Sequence, residues 1–228
     1  MKKLLISFFA LALSFGGNSF VFSQSFSDYK NQIKFTPLRM INLVNPGFEL
    51  SYERDYAKRL SSQISVAYLT DVFNVADYDS ETFSGRRIAF EQKIFYSNNP
   101  NQTNVRKYFS LVSGYSSVNM KNYTGYFMLK DFELEDHLKD YYEDVFDLKR
   151  TSVIINAKTG FQVLLSRFCF DFSIGLGFIV QNITHSNRLN PDDKMLQPRS
   201  PNVYYATTNE GKRVYPHMPI SLKIGYVF

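Results

Sequence analysis

Apolar and polar residues alternate along the segment Phe168–Val180. Every even position in it is apolar, and the odd positions from Cys169 to Gly177 are small or polar. A period of two places alternate side chains on opposite faces of an extended strand. A strand of about 11 residues can cross a tilted bilayer, whereas soluble strands average about 5–6 residues. The pattern therefore predicts a transmembrane β-strand whose lipid-facing side chains are Phe168, Phe170, Phe172, Ile174, Leu176 and Phe178.

Seven other segments alternate with the same period, so the sequence predicts eight strands. The last of them ends the chain on Phe228, which shares the parity of the apolar, lipid-facing positions of its strand. The predicted strands cover residues 31–38, 48–53, 63–68, 86–96, 108–118, 152–165, 168–180 and 220–228.

The connections between these strands alternate in length. Those after strands two, four and six are short, and the other connections are residues 39–45, 70–85, 119–151 and 182–213. Outer-membrane barrels have short periplasmic turns, longer external loops and an even number of strands. The sequence therefore predicts an all-β fold, an antiparallel up-and-down transmembrane β-barrel of eight strands. Ten strands is the alternative, because residues 202–215 could form an added pair.

The two ends of the chain indicate export to the bacterial outer membrane. Lys2 and Lys3 precede the apolar run LLISFFALAL, as in a secretory signal peptide, and we place cleavage after Ser23. Residues 24–228 would then form one outer-membrane β-barrel domain. The terminal Phe228 resembles the signal by which the barrel-assembly machinery recognises its substrates, so that machinery and outer-membrane lipid are the expected partners.

Composition changes this prediction little. The net charge of +5 includes the two signal lysines, which leaves about +3 and no evidence for a nucleic-acid partner. The single cysteine excludes an internal disulfide. Phenylalanine and tyrosine make up the whole aromatic content of 17%, and aromatic residues form girdles at both ends of membrane barrels.

One segment carries a resemblance. Residues 31–69 resemble the opening strands of small outer-membrane barrel families of unknown function that are common in Bacteroidetes. Thr36 departs from that pattern, which usually has asparagine before the proline. The resemblance implies the barrel fold and no activity, and the whole architecture is similar to the eight-stranded OmpA and OmpX barrels. The matching positions are Ile33, Lys34, Pro37, Leu38, Ser51, Tyr52, Glu53 and Arg54.

Charged residues occupy inward-facing positions of the predicted strands. An eight-stranded barrel has room inside for side chains only, so we expect acids and bases to pair into a plug. A narrow ion pathway lined by the same groups is the alternative. The inward charges are Lys34, Glu49, Glu53, Arg87, Glu91, Lys93, Lys158, Asp171 and Lys223.

The connection 119–151 is strongly acidic, and its apolar residues Leu134, Leu138, Tyr141, Val145 and Leu148 follow a helical spacing. This spacing predicts a short helix in an external loop. Its acids are either simply solvated or form an interaction surface for an unknown envelope partner. That surface would consist of Asp136, Asp140, Glu143 and Asp144.

No motif for catalysis, metal or cofactor binding is visible. His185 and His217 flank the last external loop and could approach each other, but surface histidines are the better interpretation. We therefore expect a non-enzymatic protein, without cofactor or metal, with a structural or binding role at the cell surface through its external loops. An outer-leaflet lipid-modifying enzyme and a narrow channel are the alternatives.

Overall fold

The computed structural model describes residues 30–42, 44–71, 73, 80–96, 104–128, 141–195 and 208–228. The predicted signal peptide, residues 1–23, lies outside these ranges and stays a prediction. No helix among the described residues is long and apolar enough to cross a membrane. The strands are β1 (Asn31–Phe35), β2 (Gly47–Ala57), β3 (Leu60–Thr70), β4 (Ser80–Phe95), β5 (Val105–Met128), β6 (Tyr141–Leu165), β7 (Phe168–Ser186), β8 (Lys194–Met195), β9 (Gly211–His217) and β10 (Ile220–Val227), and a 3-10 helix spans Pro37–Arg39.

Eight strands close into an antiparallel ring. β1 to β7 pair in chain order, and β10 pairs with both β7 and β1. Asn31 and Phe228 seal the ring by donating their backbone N–H groups to each other's carbonyl oxygens at 3.1 and 2.9 Å. Each of the eight predicted segments overlaps a different strand of this ring, so the predicted fold is confirmed.

The remaining two strands add no member to the ring. β9 pairs with β7 in the register that β10 continues, since His217 faces Gly177 and Ile220 faces Ile174. β9 and β10 are therefore one strand with a break at Met218 and Pro219. β8 pairs with two residues of β5, above the ring. The alternative count of ten strands is wrong.

The two sides of the wall differ as the alternation predicts. Along β7, side chains at even positions are exposed at its start, and those at odd positions are buried in the ring. The predicted lipid-facing residues Phe168, Phe170, Phe172, Ile174, Leu176, Phe178 and Phe228 all lie on the outer face, between 37% and 69% exposed.

The wall is much taller on one side than on the other. β2 and β3 have 11 residues each, whereas β5 and β6 have 24 and 25. We call the end with Asn31, Phe228 and the turn Ser166–Arg167 the lower end, and the end where β5 and β6 project the upper end. The tall side means that residues 119–128 and 141–151, predicted within an external loop, belong to strands. The loop prediction is wrong for both ranges and the helix prediction is wrong for residues 141–148, and residues 129–140 lie outside the described ranges.

The upper extension has its own core inside the wall. Here most of the buried, inward side chains are apolar. The outer face mixes charged residues such as Lys121 and Lys149 with exposed Tyr126 and Val145. Tyr123, Phe127 and Phe146 pack edge to face at its centre, with ring centroids 5.4–5.5 Å apart. We call this core the apolar cap; its buried residues are Ala67, Leu69, Val118, Met120, Tyr123, Phe127, Phe146, Leu148 and Ile183.

The first strand is shorter than predicted and ends at Phe35 rather than Leu38. Phe35 pairs with Ile224, so a continued β1 would place Pro37 beside Leu222. Proline has no N–H to donate to a neighbouring strand, which ends the ladder at this point. The chain turns instead into the 3-10 helix Pro37–Arg39, over the upper end of β10.

Candidate functional site in the barrel interior

Four buried charges from four strands meet in the lower half of the interior. Lys34 Nζ lies 2.6 Å from Glu53 Oε2 and 2.7 Å from Asp171 Oδ2, and Lys93 Nζ lies 2.6 Å from each of the same two oxygens. None of the four side chains is more than 2% exposed. Two lysines and two carboxylates cancel in charge, so this lower cluster has the balance that buried ions require.

Neighbouring polar side chains complete the hydrogen bonding of the two carboxylates. Tyr108 donates its hydroxyl to Asp171 Oδ1 at 2.6 Å, and Gln162 donates its amide to both Glu53 and Asp171 at 3.0–3.1 Å. Ser61 donates to Glu53 Oε1 at 2.9 Å. None of these three residues was predicted as part of the interior network, although Tyr108 and Gln162 occupy inward positions of predicted strands.

Arg106 adds a further ion pair below this cluster. Its guanidinium bonds Asp55 and lies 3.5 Å from Glu53, and its Cζ lies 4.0 Å from the ring centroid of Phe95. Arg106 precedes the predicted fifth strand by two residues, which is why its inward position was not predicted.

Glycines make room for the lysines inside the narrow ring. A Cβ on Gly225 would lie 2.7 Å from Lys34 Cγ, and one on Gly175 would lie 2.7 Å from Lys158 Cγ. Both distances are shorter than a carbon–carbon contact, so any larger residue would displace a lysine from its partner. The small inward residues of β7 and β10 thus position the charges.

The other five predicted inward charges form a looser upper cluster. Glu91 lies 3.5 Å from Lys158 and 3.3 Å from Lys223 and accepts a hydrogen bond from Ser110 at 2.7 Å. Glu49 lies 3.0 Å from Arg39 and 3.9 Å from Arg87. Apart from the Arg39 contact, these ion pairs are longer than those of the lower cluster. All nine predicted charges are therefore inside the ring, divided between two levels.

A cavity of about 150 Å³ lies among the upper charges. Glu49, Arg87, Glu91, Lys158 and Lys223 line it, together with Arg39, Asn156 and the chain 217–221. Three buried N–H groups of its lining have no hydrogen-bond partner: Arg39 Nε, Arg87 Nε and Asn156 Nδ2. Burying a donor without an acceptor costs about 1–3 kcal/mol, so this part of the interior is incompletely satisfied. We call it the interior cavity.

The predicted acidic surface is not formed as expected. Glu143 is exposed on the outer face of β6, whereas Asp144 is 2% exposed, faces inward and accepts the backbone N–H of Leu189 at 3.0 Å. Adjacent residues of a strand point to opposite faces, so these two carboxylates cannot share one helical surface. Asp136 and Asp140 lie outside the described residues.

The two described histidines lie far apart. His217 faces Gly177, eight residues along β7 from His185, which corresponds to about 26 Å. His217 Nδ1 lies 2.9 Å from Asn156 Oδ1, and His185 Nε2 lies 2.7 Å from the carbonyl oxygen of Thr208. Both rings are half-buried rather than on the surface. Within the described ranges, neither ring is hydrogen-bonded to a serine hydroxyl, and no cluster of three or more His, Cys, Asp or Glu side chains could hold a metal ion.

A second cavity of about 350 Å³ lies at the upper end. Arg188 lines it, with its guanidinium 4.1 Å from the ring centroid of Phe127 in the apolar cap. The other polar residues of its lining are His185, Asp192, Asp193, Asn209, Glu210 and Arg213. The two cavities have no lining residue in common among the described residues.

No family model matches the sequence, and no curated protein matches it. Among solved structures, the fold is similar to a major outer membrane protein from Thermus thermophilus, with a TM-score of 0.37 and 12% identity over 87% of this chain and 98% of that one. The resemblance of residues 31–69 to barrels of Bacteroidetes stays a prediction.

Proposed function

We propose that the protein is a non-enzymatic, integral outer-membrane β-barrel, exported by its N-terminal signal peptide and closed to ion flow by its interior charges. The observation that carries the proposal is the inversion of its two faces. Its interior holds buried ion pairs, and its outer face holds exposed aliphatic and aromatic side chains. Contiguous apolar surface of this extent marks a site covered by another apolar phase, and a barrel wall in a bilayer has this distribution. Examples around the ring are Ile33, Leu50, Ile64, Ile88, Leu111, Ile155, Phe172 and Ile220.

Aromatic residues at the lower end support the same proposal. Tyr96 stacks on Phe109 with ring centroids 4.8 Å apart, and Phe168 meets Tyr226 edge to face at 6.2 Å. Tyrosine and phenylalanine gather where membrane barrels meet the lipid head groups. With the terminal Phe228 and Tyr56, they form a girdle on the side of the two termini, which would be periplasmic.

The charged interior supports a closed barrel rather than a channel. The lower cluster joins β1, β2, β4 and β7 by ion pairs of 2.6–2.7 Å, so its charges hold one another across the lumen. An eight-stranded barrel has no space for water beside such a cluster. We expect purified protein in planar bilayers to give no unitary current steps. Regular steps proportional to salt concentration would reject the closed barrel and favour the narrow channel.

Membrane integration is tested separately by fractionation. The protein should sediment with outer membranes, resist carbonate extraction and migrate as a heat-modifiable band on a gel. Recovery as a soluble periplasmic protein would reject the proposal.

The proposed structural or binding role at the cell surface rests on the external connections, such as the one between β5 and β6. Cross-linking on intact cells should capture any surface partner with the unchanged protein. The partner should be lost in a variant in which residues 129–140 are replaced by a glycine-serine linker.

A further inference from the structure

We propose that the interior cavity binds the anionic carboxylate head of a single-chain membrane amphiphile, which enters from the bilayer through a slot in the barrel wall between β10 and the upper end of β2. The proposal rests on the membrane location proposed above. It names a ligand class for a site inside the barrel, separate from any role of the external loops.

The slot exists because two strands of the ring stop at different heights. β10 pairs with β7 from Ile220 to Tyr226, but β1 covers its other edge only from Ile224 to Val227. Above Ile224, that edge has no strand beside it among the residues that the structure describes. Pro37 ends β1 at this level, and the 3-10 helix that follows lies beside β10 and β2, in contact with both. Leu38 and Arg39 of this helix are partly exposed, so the slot is lined by side chains rather than closed by a paired strand.

The free edge of β10 presents backbone donors to the slot. The backbone N–H of Phe228 donates to β1, and the backbone carbonyl of Pro219 accepts from Gly175 of β7. Backbone groups alternate along a strand, so those of even-numbered residues of β10 point toward the slot and those of odd-numbered residues point toward β7. The N–H groups of Ile220 and Leu222 therefore point into the slot. Pro219 has no backbone N–H to donate to β7, which explains the break between β9 and β10. Its ring does not affect the edge of β10 that faces the slot.

The rim of the slot is apolar and the space behind it is charged. Met218 and Ile220 line the cavity and are 63% and 55% exposed on the outer face. Leu38 lines the same cavity from the other side of the slot. A molecule that lies across this rim would place one end among the interior charges and the other against the lipid-facing wall. Those are the two environments that an amphiphile requires.

The charge of the cavity selects an anion. Four cations, Arg39, Arg87, Lys158 and Lys223, line it against two carboxylates, Glu49 and Glu91, which leaves two positive charges in excess. The buried polar atoms of its lining that lack partners, on Arg39, Arg87 and Asn156, are all N–H donors. A ligand that satisfies them must accept hydrogen bonds, and a carboxylate accepts several at once.

The volume of the cavity limits how much of the ligand it encloses. Its volume of about 150 Å³ is well below the roughly 300–1,000 Å³ of pockets that enclose a whole drug-sized ligand. That space fits a carboxylate and the first few methylene groups. The rest of the acyl chain must then leave through the slot, which is why we choose a single-chain fatty acid over a small soluble anion.

The test uses the full-length mature protein in phosphatidylcholine vesicles, after carbonate resistance has shown that it is integrated. The probe is dodecanoic acid with a photoreactive diazirine on an early chain carbon. We expect labelling at residues 36–39 and 218–222, competed by dodecanoate and at least tenfold less by dodecanol or acetate. Labelling spread evenly over the outer face would overturn the site. Equal competition by acetate or inorganic phosphate would overturn the amphiphile and leave a site for free anions.

A matched pair of variants tests the head-group contact. Arg87→Gln removes an inward charge of the cavity, and Arg86→Gln removes the adjacent charge on the outer face. Loss of a charge-assisted hydrogen bond should weaken dodecanoate competition about tenfold to a hundredfold in Arg87→Gln and leave Arg86→Gln unchanged. Equal effects in both variants would overturn the proposal. If Arg87→Gln fails to fold, Ser221→Trp replaces it as the test. This substitution fills the cavity without removing a charge and should abolish labelling.

Because integration is established before labelling, the two proposals fail separately. A protein that is extracted by carbonate fails the proposed function. A protein that is integrated but shows no labelling at the slot fails only the inference about the amphiphile.

Discussion

Removing one negative charge from the lower cluster should destabilise the barrel strongly. Asp171→Asn keeps the shape of the side chain but leaves Lys34 and Lys93 facing the single charge of Glu53. Asp171 accepts from both lysines, and charge-assisted hydrogen bonds contribute about 1.5–3 kcal/mol each, so their loss costs about 3–6 kcal/mol. Breaking a buried ion pair from one side costs about 3–5 kcal/mol, which agrees. We expect the free energy of unfolding to fall by about 3–5 kcal/mol.

The assay is equilibrium urea unfolding in lipid vesicles. The chain has no tryptophan, so far-ultraviolet circular dichroism and the heat-modified gel shift report the folded fraction. Glu143→Gln, the matching carboxylate-to-amide change at an exposed site, is the control and should alter the free energy of unfolding by no more than about 0.5 kcal/mol.

A double variant separates charge from packing. Asp171→Asn with Lys93→Met restores the balance of one lysine against one carboxylate, so it should recover at least half of the loss. A loss below about 1 kcal/mol in the single variant would refute the reasoning. So would a double variant less stable than the single one, because the excess charge would then not be the cause.

Three further predictions concern the wall and its ends. Ile174→Lys on the outer face should cost about 2–4 kcal/mol and impair assembly, measured by the heat-modifiable fraction, whereas Ser173→Lys should be tolerated better; equal impairment would contradict the assigned faces. Protease added to intact cells should cut within residues 129–140 and spare the turn at 58–59, and the reverse pattern would invert the topology. Deletion of Phe228 should slow delivery to the outer membrane, measured by pulse-chase fractionation; unchanged kinetics would remove this residue as the assembly signal.

The ring could be predicted because alternate positions of each strand are apolar and polar, and this alternation shows which side chains face outward and which face the lumen. Lys34 and Asp171 lie at inward positions of strands that are 137 residues apart in the chain. Parity places both in the lumen, but it contains no information on register or tilt. The pairing of Lys34 with Glu53, and of Asp171 with Lys93, could therefore not be derived from the sequence.

The upper extension was missed for a different reason. In the upper extension the inner face of the wall becomes largely apolar, and Met120 and Leu148 point inward, whereas charges point inward below. The outer face carries Lys121 and Lys149 beside exposed apolar side chains, so the outward apolar alternation is interrupted and the segment was predicted as a loop. The bulge between Met120 and Tyr123, where Asn122 has a φ of 52°, further shifts the alternation. Arg39 was likewise assigned to a loop, so its place in the interior cavity was not predicted.

The apolar cap implies that one continuous wall is stabilised by two different solvents. In the proposed location, lipid covers the outer face of the lower ring, so bilayer thickness should govern its stability. The cap buries its side chains away from water, and its contribution should carry the heat-capacity change of an ordinary water-soluble core. Amide hydrogen exchange in the upper halves of β5 and β6 should accordingly respond to temperature and to excluded cosolvents, and exchange around the lower cluster should respond to acyl-chain length. In the proposed location, the same strands would therefore contribute both to a water-facing part and to a lipid-facing part of the wall.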